Sequence, residues 1–546
     1  MGLPASNTPW PPSGHNRRLD RMKTLSTWYG GDPDQLSNLY WDSVGEAATR
    51  HNVVSRAYQS VRRWFWGTAP TPGEKNTKIH VDLPKDIAQL SAELLFAEPP
   101  QVKIQAPLIP VIDENGVETM VEAPGAQAAQ ERLDELLDAS NWGSLLLAAA
   151  ETSAALGCTG LRIAWDMDID DKPFLTRVDA DAIIPEYRWG KLVAVTFWRQ
   201  WSIKGKTTVW RHLERHERGR IYHGLYEGTL DNLGQLRPLD YHPDTMYLVE
   251  LVDAESSIPV PENYRTATSI PNLLPDPLDR NNNAGRSDFT PGVLSLFDAI
   301  DETYTSLMRD IELAKGRLIV AQYMLEDNGP GKGASFNPER KIMSPLKMTP
   351  GENNDAPITV VQFQIRVEEH IRAIEHLTAE AVKSAGYNPQ TMGDAADGSA
   401  MTATEVQSRD RRSLSTRDKK IRYWQNELEA LLEALLAVDR EVFGTPIDVY
   451  PVTVEFPDSV QPNMKALAET VELMKRAEAA SLRTRIETLH PDWDVAQVDE
   501  EVARMQEETT VIDPLTFGLA GNQMTFDRPD VEDNTDDTED DDMPVV

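Results

Sequence analysis

In several long segments the apolar residues recur every three or four positions, which is the spacing of one face of an α-helix. The clearest repeat lies in TPGVLSLFDAIDETYTSLMRDIELAKGR, residues 290 to 317, where Val293, Phe297 and Ile300 form one stripe with carboxylates opposite. A second stripe follows between residues 362 and 386. The stretch between the two is rich in Gly, Pro and Asn. The pattern therefore predicts two amphipathic helices that flank a small, loop-rich excursion.

A third helical pattern is the longest in the chain and runs from Thr402 to Asp439. Thr402 and Glu405 fit a capping box at its start, and 1.5 Å per residue predicts a length of roughly 57 Å. Its second half is leucine-rich and acidic. Its first half is basic and contains Arg409, Arg411, Arg412, Arg417, Lys419, Lys420 and Arg422. This basic half is either a solvated face, or a subunit interface or DNA contact.

Between residues 159 and 247 the hydrophobic period shifts toward two, which is typical of β-strands. The strand-like runs are GLRIAW, KLVAVTFWRQW and RIYHGLY, with turn residues between them. Before this region, DLPKDIAQLSAELLFAEPP, AQAAQERLDELLDAS and NWGSLLLAAAETSAALG have helical spacing, and VIDENGVETMV reads as a hairpin around Asn115 and Gly116. The sequence predicts an α+β protein.

Three stretches lack a hydrophobic period. Residues 254 to 290, dense in Pro, Asn and Ser, predict a long connection between lobes. Residues 1 to 26 predict a flexible N-terminal arm. Residues 387 to 401, YNPQTMGDAADGSAM, exceed the two to eight residues that usually join packed helices. Gly and small polar residues can change shape easily, so this segment predicts a flexible loop held between two helices.

Charge and composition exclude several functional classes. The net charge of −34 would repel a phosphate backbone and disfavours a conventional nucleic-acid binder, although transient passage of DNA is compatible with it. The single cysteine, Cys158, rules out an internal disulfide and predicts a small buried apolar residue. We expect Trp64, Phe65 and Trp66 to pack in a core or interface rather than stack on bases. The sequence has no apolar run of membrane-spanning length.

Two short motifs resemble chemical sites, and each lacks a required residue. GPGKGAS, residues 329 to 335, resembles a phosphate-binding loop, but Gly333 stands where Ser or Thr should follow the lysine. HLERHE places His212 and His216 four apart, with its glutamate one position too late for the zinc motif H-E-x-x-H. The surrounding residues predict a strand, so a zinc site is not expected.

The segment DMDIDD alternates carboxylates like the start of a calcium-binding loop. Asp171 occupies the position that needs Gly, and Arg177 the position that needs a bidentate Glu. A polar hairpin turn is the preferred interpretation. A carboxylate-dependent metal nuclease that uses Asp166, Asp168 and Asp170 is kept as an alternative from a different functional class.

The order of these elements resembles that of the portal proteins of tailed bacteriophages. Three segments carry the resemblance: LPKDIAQLSAELLFAEPP, GRSDFTPGVLSLFDAIDETYTSLMRDIELAKGR and GYNPQTMGDAADGSAMTATEVQSRDRRS. They are similar to the portals of long-tailed phages, especially those that infect actinobacteria, over roughly residues 35 to 510. Another virion structural or adaptor protein is the alternative, although such adaptors are usually much shorter.

The resemblance implies the portal fold, with a mixed α/β wing, a helical stem, a small α/β clip and a helical crown. Carried over to this chain, the parts are the arm at 1–26, the wing at 27–290, stem helix 1 at 291–317, the clip at 318–361, stem helix 2 at 362–386, a tunnel loop at 387–401, the long wing helix and its return at 402–455, the crown at 456–515 and a disordered acidic tail at 516–546.

The resemblance also implies partners and contact residues. Twelve copies would form a ring at one capsid vertex, assembled in the host cytoplasm and retained in the virion, with double-stranded DNA passing through its channel. The DNA-facing residues of the tunnel loop would be Asn388, Gln390, Thr391, Met392, Asp394, Asp397 and Ser399. The clip would contact the terminase large subunit and head-tail connector or adaptor proteins through Lys332, Asn337, Glu339, Arg340 and Lys341. Major capsid and scaffold proteins are further partners, and neither a catalytic, cofactor or metal site nor a membrane is implied.

Overall fold

A computed structural model gives the fold of residues 2–40, 65–67, 78–112, 118–202, 205, 207–313, 317–320, 326–327, 334–335, 358–361, 366–392, 403–457, 471–477, 479–490, 493 and 495–511. The chain divides into two compact units, residues 1–459 and residues 460–546. The first unit contains both helices and sheets, as the sequence predicts.

The long helices of the first unit coincide with the predicted helical patterns, except for the first one, which the sequence does not predict. They are α1 (Asn16–Gly30), α2 (Leu83–Phe96), α3 (Ala126–Ala139), α4 (Trp142–Leu156), α5 (Pro291–Leu313), α6 (Val367–Ala385) and α7 (Ala403–Glu441). Helices α5 and α6 pack against each other. Helix α7 is 39 residues long and begins one residue after Thr402, whose capping contact lies outside the described residues.

The strands of the first unit are short except in one sheet. They are β1 (Gln101–Ile104), β2 (Leu108–Ile112), β3 (Glu118–Glu122), β4 (Cys158–Ala164), β5 (Phe174–Val178), β6 (Ile183–Arg188), β7 (Lys191–Ser202), β8 (Val209–Glu217), β9 (Arg220–Thr229), β10 (Asn232–Arg237), β11 (Ser257–Pro259), β12 (Ala267–Pro271), β13 (Arg317–Val320), β14 (Glu326–Asp327), β15 (Ala334–Ser335), β16 (Ile358–Val361) and β17 (Val452–Glu455).

Antiparallel pairing joins these strands into sheets. The largest sheet has the order β10-β9-β8-β7-β6, with β11 also paired to β9, and a three-stranded sheet has the order β12-β4-β5. Strand β1 pairs with β17, so that Gln101 lies opposite Glu455, a residue far away in the sequence. The predicted hairpin around Asn115 and Gly116 is confirmed by the pairing of β2 with β3. In the excursion between α5 and α6, β13 pairs with β16 and β14 with β15.

Among the described residues, the two largest hydrophobic cores lie beneath the helices. The leucine-rich half of α7 buries Trp424, Leu428 and Leu432 against α2, α3 and α4 in one core. Burial of this kind contributes roughly 1.5–3 kcal/mol for each large apolar side chain. In the other core Trp66 packs with residues of α1, α2 and α5, and Phe65 lies at its edge. This confirms the packing prediction for Phe65 and Trp66, whereas Trp64 lies outside the described residues.

The N-terminal segment is not a flexible arm, which corrects the expectation for residues 1–26. Trp10 is buried against Tyr226 and Leu233 on one face of the six-stranded sheet, and the hydroxyl of Tyr226 donates to the carbonyl of Pro4 at 2.6 Å. Residues from Asn16 onward form α1. The Pro and Trp content of residues 1–26 suggested flexibility because the sequence does not show the apolar sheet surface on which Trp10 packs.

The expected connection at 254–290 is also corrected, because it contains a buried strand, β12, at the edge of the three-stranded sheet. All five residues of β12 are buried, and the strand pairs with β4. One of its polar side chains has a partner inside the protein: Thr268 donates to Glu427 of α7. Polar residues with buried partners do not show the apolar period of a strand, which explains why the sequence pattern resembled a loop.

The second unit contains two helices among its described elements, α8 (Leu482–Leu489) and α9 (Val495–Val511), and residues 471–476 are also helical. Ser481 caps α8, where its Oγ accepts from the Thr484 N–H at 3.2 Å. Helices in this region were predicted. In the described part of the chain, no helix is both long and apolar enough to cross a bilayer.

Candidate functional site

Helix α6 ends at a glycine that no other residue replaces easily. Gly386 has φ 108°, in the left-handed region that favours glycine. The Tyr387 N–H donates to the Val382 carbonyl at 3.1 Å and closes the helix end. The hydroxyl of Thr416, from α7, donates to the Gly386 carbonyl at 2.7 Å. A Cβ at position 386 would lie 3.2 Å from the Thr416 Oγ1. This tight contact fixes where the loop leaves α6.

A buried polar network lies directly below that point. The Lys420 ammonium donates to Asp288 Oδ2 at 2.6 Å, to Ser91 Oγ at 2.7 Å and to Tyr387 Oη at 2.9 Å. The Tyr387 hydroxyl donates to the same carboxylate oxygen at 2.8 Å, and Asn272 Nδ2 donates to Asp288 Oδ1 at 2.9 Å. All three ammonium protons of Lys420 thus have an acceptor, which is what a buried lysine needs.

Burial sets the protonation behaviour of this network. It lowers the pKa of Lys420, while the neighbouring Asp288 carboxylate partly offsets the effect. Burial, together with the same carboxylate, raises the pKa of Tyr387 well above its usual value, so that the hydroxyl remains a donor. The network joins helix α2, the segment after β12, the start of α5, the end of α6 and the middle of α7. It therefore holds the base of the predicted tunnel loop as one rigid joint.

The first part of the predicted tunnel loop is ordered against α7. Residues Pro389–Met392 form one 3-10 turn, the Asn388 N–H donates to Ser413 Oγ at 2.9 Å, and Thr391 Oγ1 lies 3.0 Å from the same oxygen. Met392 packs on the core that contains α5, and Gln390 is half-buried. Asp394, Asp397 and Ser399 lie outside the described residues.

The four predicted arginines of α7 divide into different environments. Arg411 and Arg412 are exposed, and Arg412 Nη2 donates to the Lys383 carbonyl at 2.7 Å. Arg417 is buried and donates from Nε to the Leu94 carbonyl at 2.6 Å and also to the Pro457 carbonyl. The expectation of a subunit or DNA contact is thereby corrected for Arg417, which ties α7 to its own unit. The side chain of Arg409 lies outside the described residues.

Arg411 and Arg412 belong to a groove that is strongly basic. The groove has a volume of about 810 Å³ and lies between the end of α6, the basic half of α7 and residues 273–286. Among the residues that the structure describes, its charged lining consists of Arg286, Arg411, Arg412 and Lys419, without a carboxylate. Within the described part of the chain none of the four forms an ion pair. Four cations in one groove on an acidic protein suit a phosphate or carboxylate ligand.

Sequence reasoning missed Arg286, because it lies in the stretch interpreted as a connection. It also missed the burial of two carboxylates on α5. Asp301 accepts from Trp66 Nε1 at 3.0 Å and lies 2.8 Å from His80 Nδ1, and Asp298 accepts from the Phe65 N–H at 3.0 Å. Burial raises the pKa of Asp298 to about 6. The apolar stripe of α5 gave no signal for these contacts, since it marks one face only.

The motifs that resembled metal sites have structural roles. His212 and His216 lie on strand β8, as predicted; His216 contacts Glu214 at 2.9 Å, and His212 contacts His223 at 3.2 Å. In DMDIDD, the predicted turn is confirmed between β4 and β5, with the Asp168 N–H donating to Asp166. Among the residues whose placement is given, no group of three or more His, Cys, Asp or Glu is arranged to hold a metal ion.

Comparison with known proteins gives a family match over most of the chain. Residues 12–514 match the family model described as "Phage portal protein, SPP1 Gp6-like". A solved chain from the structure titled "Virion of native gene transfer agent (GTA) particle" aligns over 80% of this chain and 99% of its own, with 13% identity and a TM-score of 0.36. A likeness that weak carries no argument about this chain. No curated protein matches the chain.

Proposed function

This chain belongs to the SPP1 Gp6-like family of phage portal proteins, and from that premise we propose that it forms the ring through which DNA enters and leaves a phage capsid. The family is one of structural proteins, so the chain is a virion component and not an enzyme. The proposed ring lies at one capsid vertex, contains twelve copies and assembles in the host cytoplasm. The match across residues 12–514 is the observation that carries this proposal.

We assign the parts of the portal to this chain as follows: wing 27–290, stem helices within 291–317 and 362–386, clip 318–361, tunnel loop 387–401, long wing helix and return 402–455, and crown 456–515. The packed pair α5 and α6 supports the stem assignment. The corrected N-terminal segment belongs with the wing, because it covers the six-stranded sheet.

The tunnel loop and the basic groove are proposed to meet the DNA. The rigid joint at Lys420 and Tyr387 supports this, because a loop that touches moving DNA needs a fixed base. The groove supplies Arg286, Arg411 and Lys419 beside that base, where they can contact backbone phosphates without reading sequence. The net negative charge of the whole chain limits such contacts, so that DNA would be bound weakly and could move through the channel. Arg409 and loop residues Asn388, Gln390, Thr391, Met392, Asp394, Asp397 and Ser399 are proposed contacts as well.

The clip is proposed to bind the terminase large subunit during packaging and head-tail connector proteins afterwards. The candidate contacts Lys332, Asn337, Glu339, Arg340 and Lys341 lie outside the described residues. Capsid and scaffold proteins are the proposed partners during assembly. The nuclease alternative is not proposed, since the family is structural and DMDIDD forms a turn.

Electron microscopy of the purified full-length chain tests this proposal. End-on views should show closed rings with a central channel, and analytical ultracentrifugation should give one dominant oligomer. A chain that remains monomeric at every concentration and salt condition would contradict the proposed function.

A further inference from the structure

A tryptophan stands almost fully exposed at the tip of the hairpin between β6 and β7. The side chain of Trp189 is 95% exposed. Trp189 and Gly190 both have positive φ, 57° and 77°, which is the pattern of a type I′ turn between Arg188 and Lys191. The first central position of that turn favours Asn, Asp or Gly, and the left-handed region is unfavourable for a bulky side chain. Formation of the hairpin therefore does not explain a tryptophan here.

The two residues that flank this turn are cations. Arg188 and Lys191 are exposed and form no ion pair with any residue that the structure describes. We call residues 188–191 the hairpin tip. It presents a large aromatic ring between two positive charges, a combination that is common at the centres of protein interfaces.

A second exposed apolar surface lies on the segment that follows β10. Its members are large apolar side chains that are exposed to solvent, and we call them the apolar patch: Tyr241, Met246, Tyr247, Val249 and Leu251. Exposed carboxylates of Asp240, Asp244 and Glu250 lie among them in the sequence. The charges around the apolar patch are negative and those beside Trp189 are positive, so the two surfaces are complementary in charge. Five exposed large apolar side chains within eleven residues of sequence, with carboxylates among them, indicate an interaction site.

The tip and the patch cannot meet within one chain. Strand β7 starts at Lys191, in the hairpin tip. Near its other end, Trp201 stacks on His242 of the patch segment, with ring centroids 4.3 Å apart. A strand of 12 residues with a rise of about 3.3 Å per residue is roughly 36–40 Å long. The two surfaces therefore lie at opposite ends of the six-stranded sheet.

We propose that the hairpin tip of one copy docks on the apolar patch of the next copy around the ring. The inference rests on the ring of the proposed function and names the residues of one subunit contact. Trp189 would bury its ring against Tyr241 and Met246, while Arg188 and Lys191 face Asp240 and Glu250. Such a contact uses a different surface on each side. It is therefore head-to-tail, the type of contact that can close a ring of many copies.

The first test separates folding from assembly. Trp189→Asn suits the type I′ turn, so the variant should fold with unchanged or higher stability, yet it should need an about tenfold or higher protein concentration to form rings. Leu278→Asn, at another exposed apolar residue of the same unit, should assemble like the unaltered chain. Sedimentation velocity measures assembly, and thermal unfolding measures stability. Rings of Trp189→Asn that form at the unaltered concentration would overturn the inference.

A second test asks which surfaces meet. Cysteines introduced at Trp189→Cys and Met246→Cys in one chain, at a protein concentration raised until rings form, should give a ladder of covalent oligomers on mild oxidation, whereas either substitution alone should give none. The native Cys158 is fully buried and does not interfere. Assembled double-cysteine rings without a ladder would also overturn the inference, and the ring itself would stand. If the unaltered chain forms no ring, the proposed function fails together with it.

Discussion

The ammonium of Lys420 lies 2.6 Å from the carboxylate of Asp288, and both side chains are almost completely buried. The two residues belong to segments that are far apart in sequence, the start of α5 and the middle of α7. An ion pair removed from water is retained only when its remaining hydrogen-bonding groups are also satisfied. Ser91, Asn272 and Tyr387 meet that condition here. The pair thus fixes the orientation of α7 beside Tyr387, where the proposed tunnel loop begins.

Substitution of Lys420 by methionine should strongly destabilise the first unit. Lys420→Met leaves the Asp288 carboxylate buried without its cation, a change that costs about 3–5 kcal/mol of unfolding free energy. Urea unfolding followed by tryptophan fluorescence measures the loss. Lys419→Met, the neighbouring groove residue, is the matched control and should change stability by less than about 0.5 kcal/mol. Equal stability of the two variants would show that the buried pair is dispensable.

Substitution of Gly386 by alanine should also destabilise the protein, through backbone strain and a tight contact. The alanine would have to adopt φ 108°, and its Cβ would lie 3.2 Å from the Thr416 Oγ1. We expect the free energy of unfolding to fall by about 1 kcal/mol or more. Gly444→Ala is the control, because Gly444 also has positive φ, at 73°, but has open space around it. The midpoint of thermal unfolding should therefore fall further for Gly386→Ala. The same fall for both would assign the whole effect to the backbone conformation.

The stability of the protein should depend on pH through Asp298. Burial raises the pKa of its carboxyl from the ordinary 3.8 to about 6 in the folded state. The folded state therefore binds this proton more tightly, and the stabilising contribution, complete below pH 3.8, is lost as the pH rises through 6. Asp298→Asn cannot titrate, so that relative to the unaltered protein it should gain up to about 3 kcal/mol between pH 4 and pH 7.

Unfolding free energies from urea titrations at several pH values measure this gain. Glu312→Gln removes an exposed carboxyl from the same helix, and its stability relative to the unaltered protein should be nearly constant with pH. A constant difference for Asp298→Asn as well would contradict the raised pKa of the buried carboxyl.

The basic groove should make the affinity for DNA depend on salt concentration, because its cations contact backbone phosphates. Arg411→Gln with Lys419→Gln removes two of the four groove cations while leaving the Arg412 contact to α6 in place. Each lost phosphate contact should reduce the slope of log K against log salt by about 0.9. Fluorescence anisotropy of labelled duplex DNA with assembled rings measures the slope. Arg440→Gln, at the other end of α7, is the control, and an unchanged slope in the double variant would exclude the groove as a DNA contact.

Periodicity in the sequence was sufficient for the elements whose partners are apolar. Helices α5, α6 and α7 and the β2–β3 hairpin lie where the pattern predicts them, because apolar spacing reports one buried face directly. It was insufficient for β12, Trp10 and Asp298. Their burial depends on partners that are distant in sequence, Glu427, Tyr226 and the Phe65 backbone, and a local pattern contains no signal for a distant partner.

The same limit applies to the candidate site. The basic half of α7 was visible as a run of charges, but only the fold separates the exposed Arg411 from the buried Arg417. Arg286 joins the groove from a segment without any charge cluster. A flexible loop at 387–401 was predicted from its glycines and small polar residues, whereas the ordered turn at Pro389–Met392 depends on Ser413 of the facing helix.

The pairing of β1 with β17 has a consequence for the order of folding during synthesis. Gln101 pairs with Glu455. Strand β1 therefore lacks its partner β17 until almost the entire first unit has left the ribosome. Contacts between residues so distant in sequence form slowly, and unpaired strand edges invite association with other chains. We therefore expect truncated chains that end before Val452 to aggregate during expression, and nascent chains to depend on chaperones until β17 emerges.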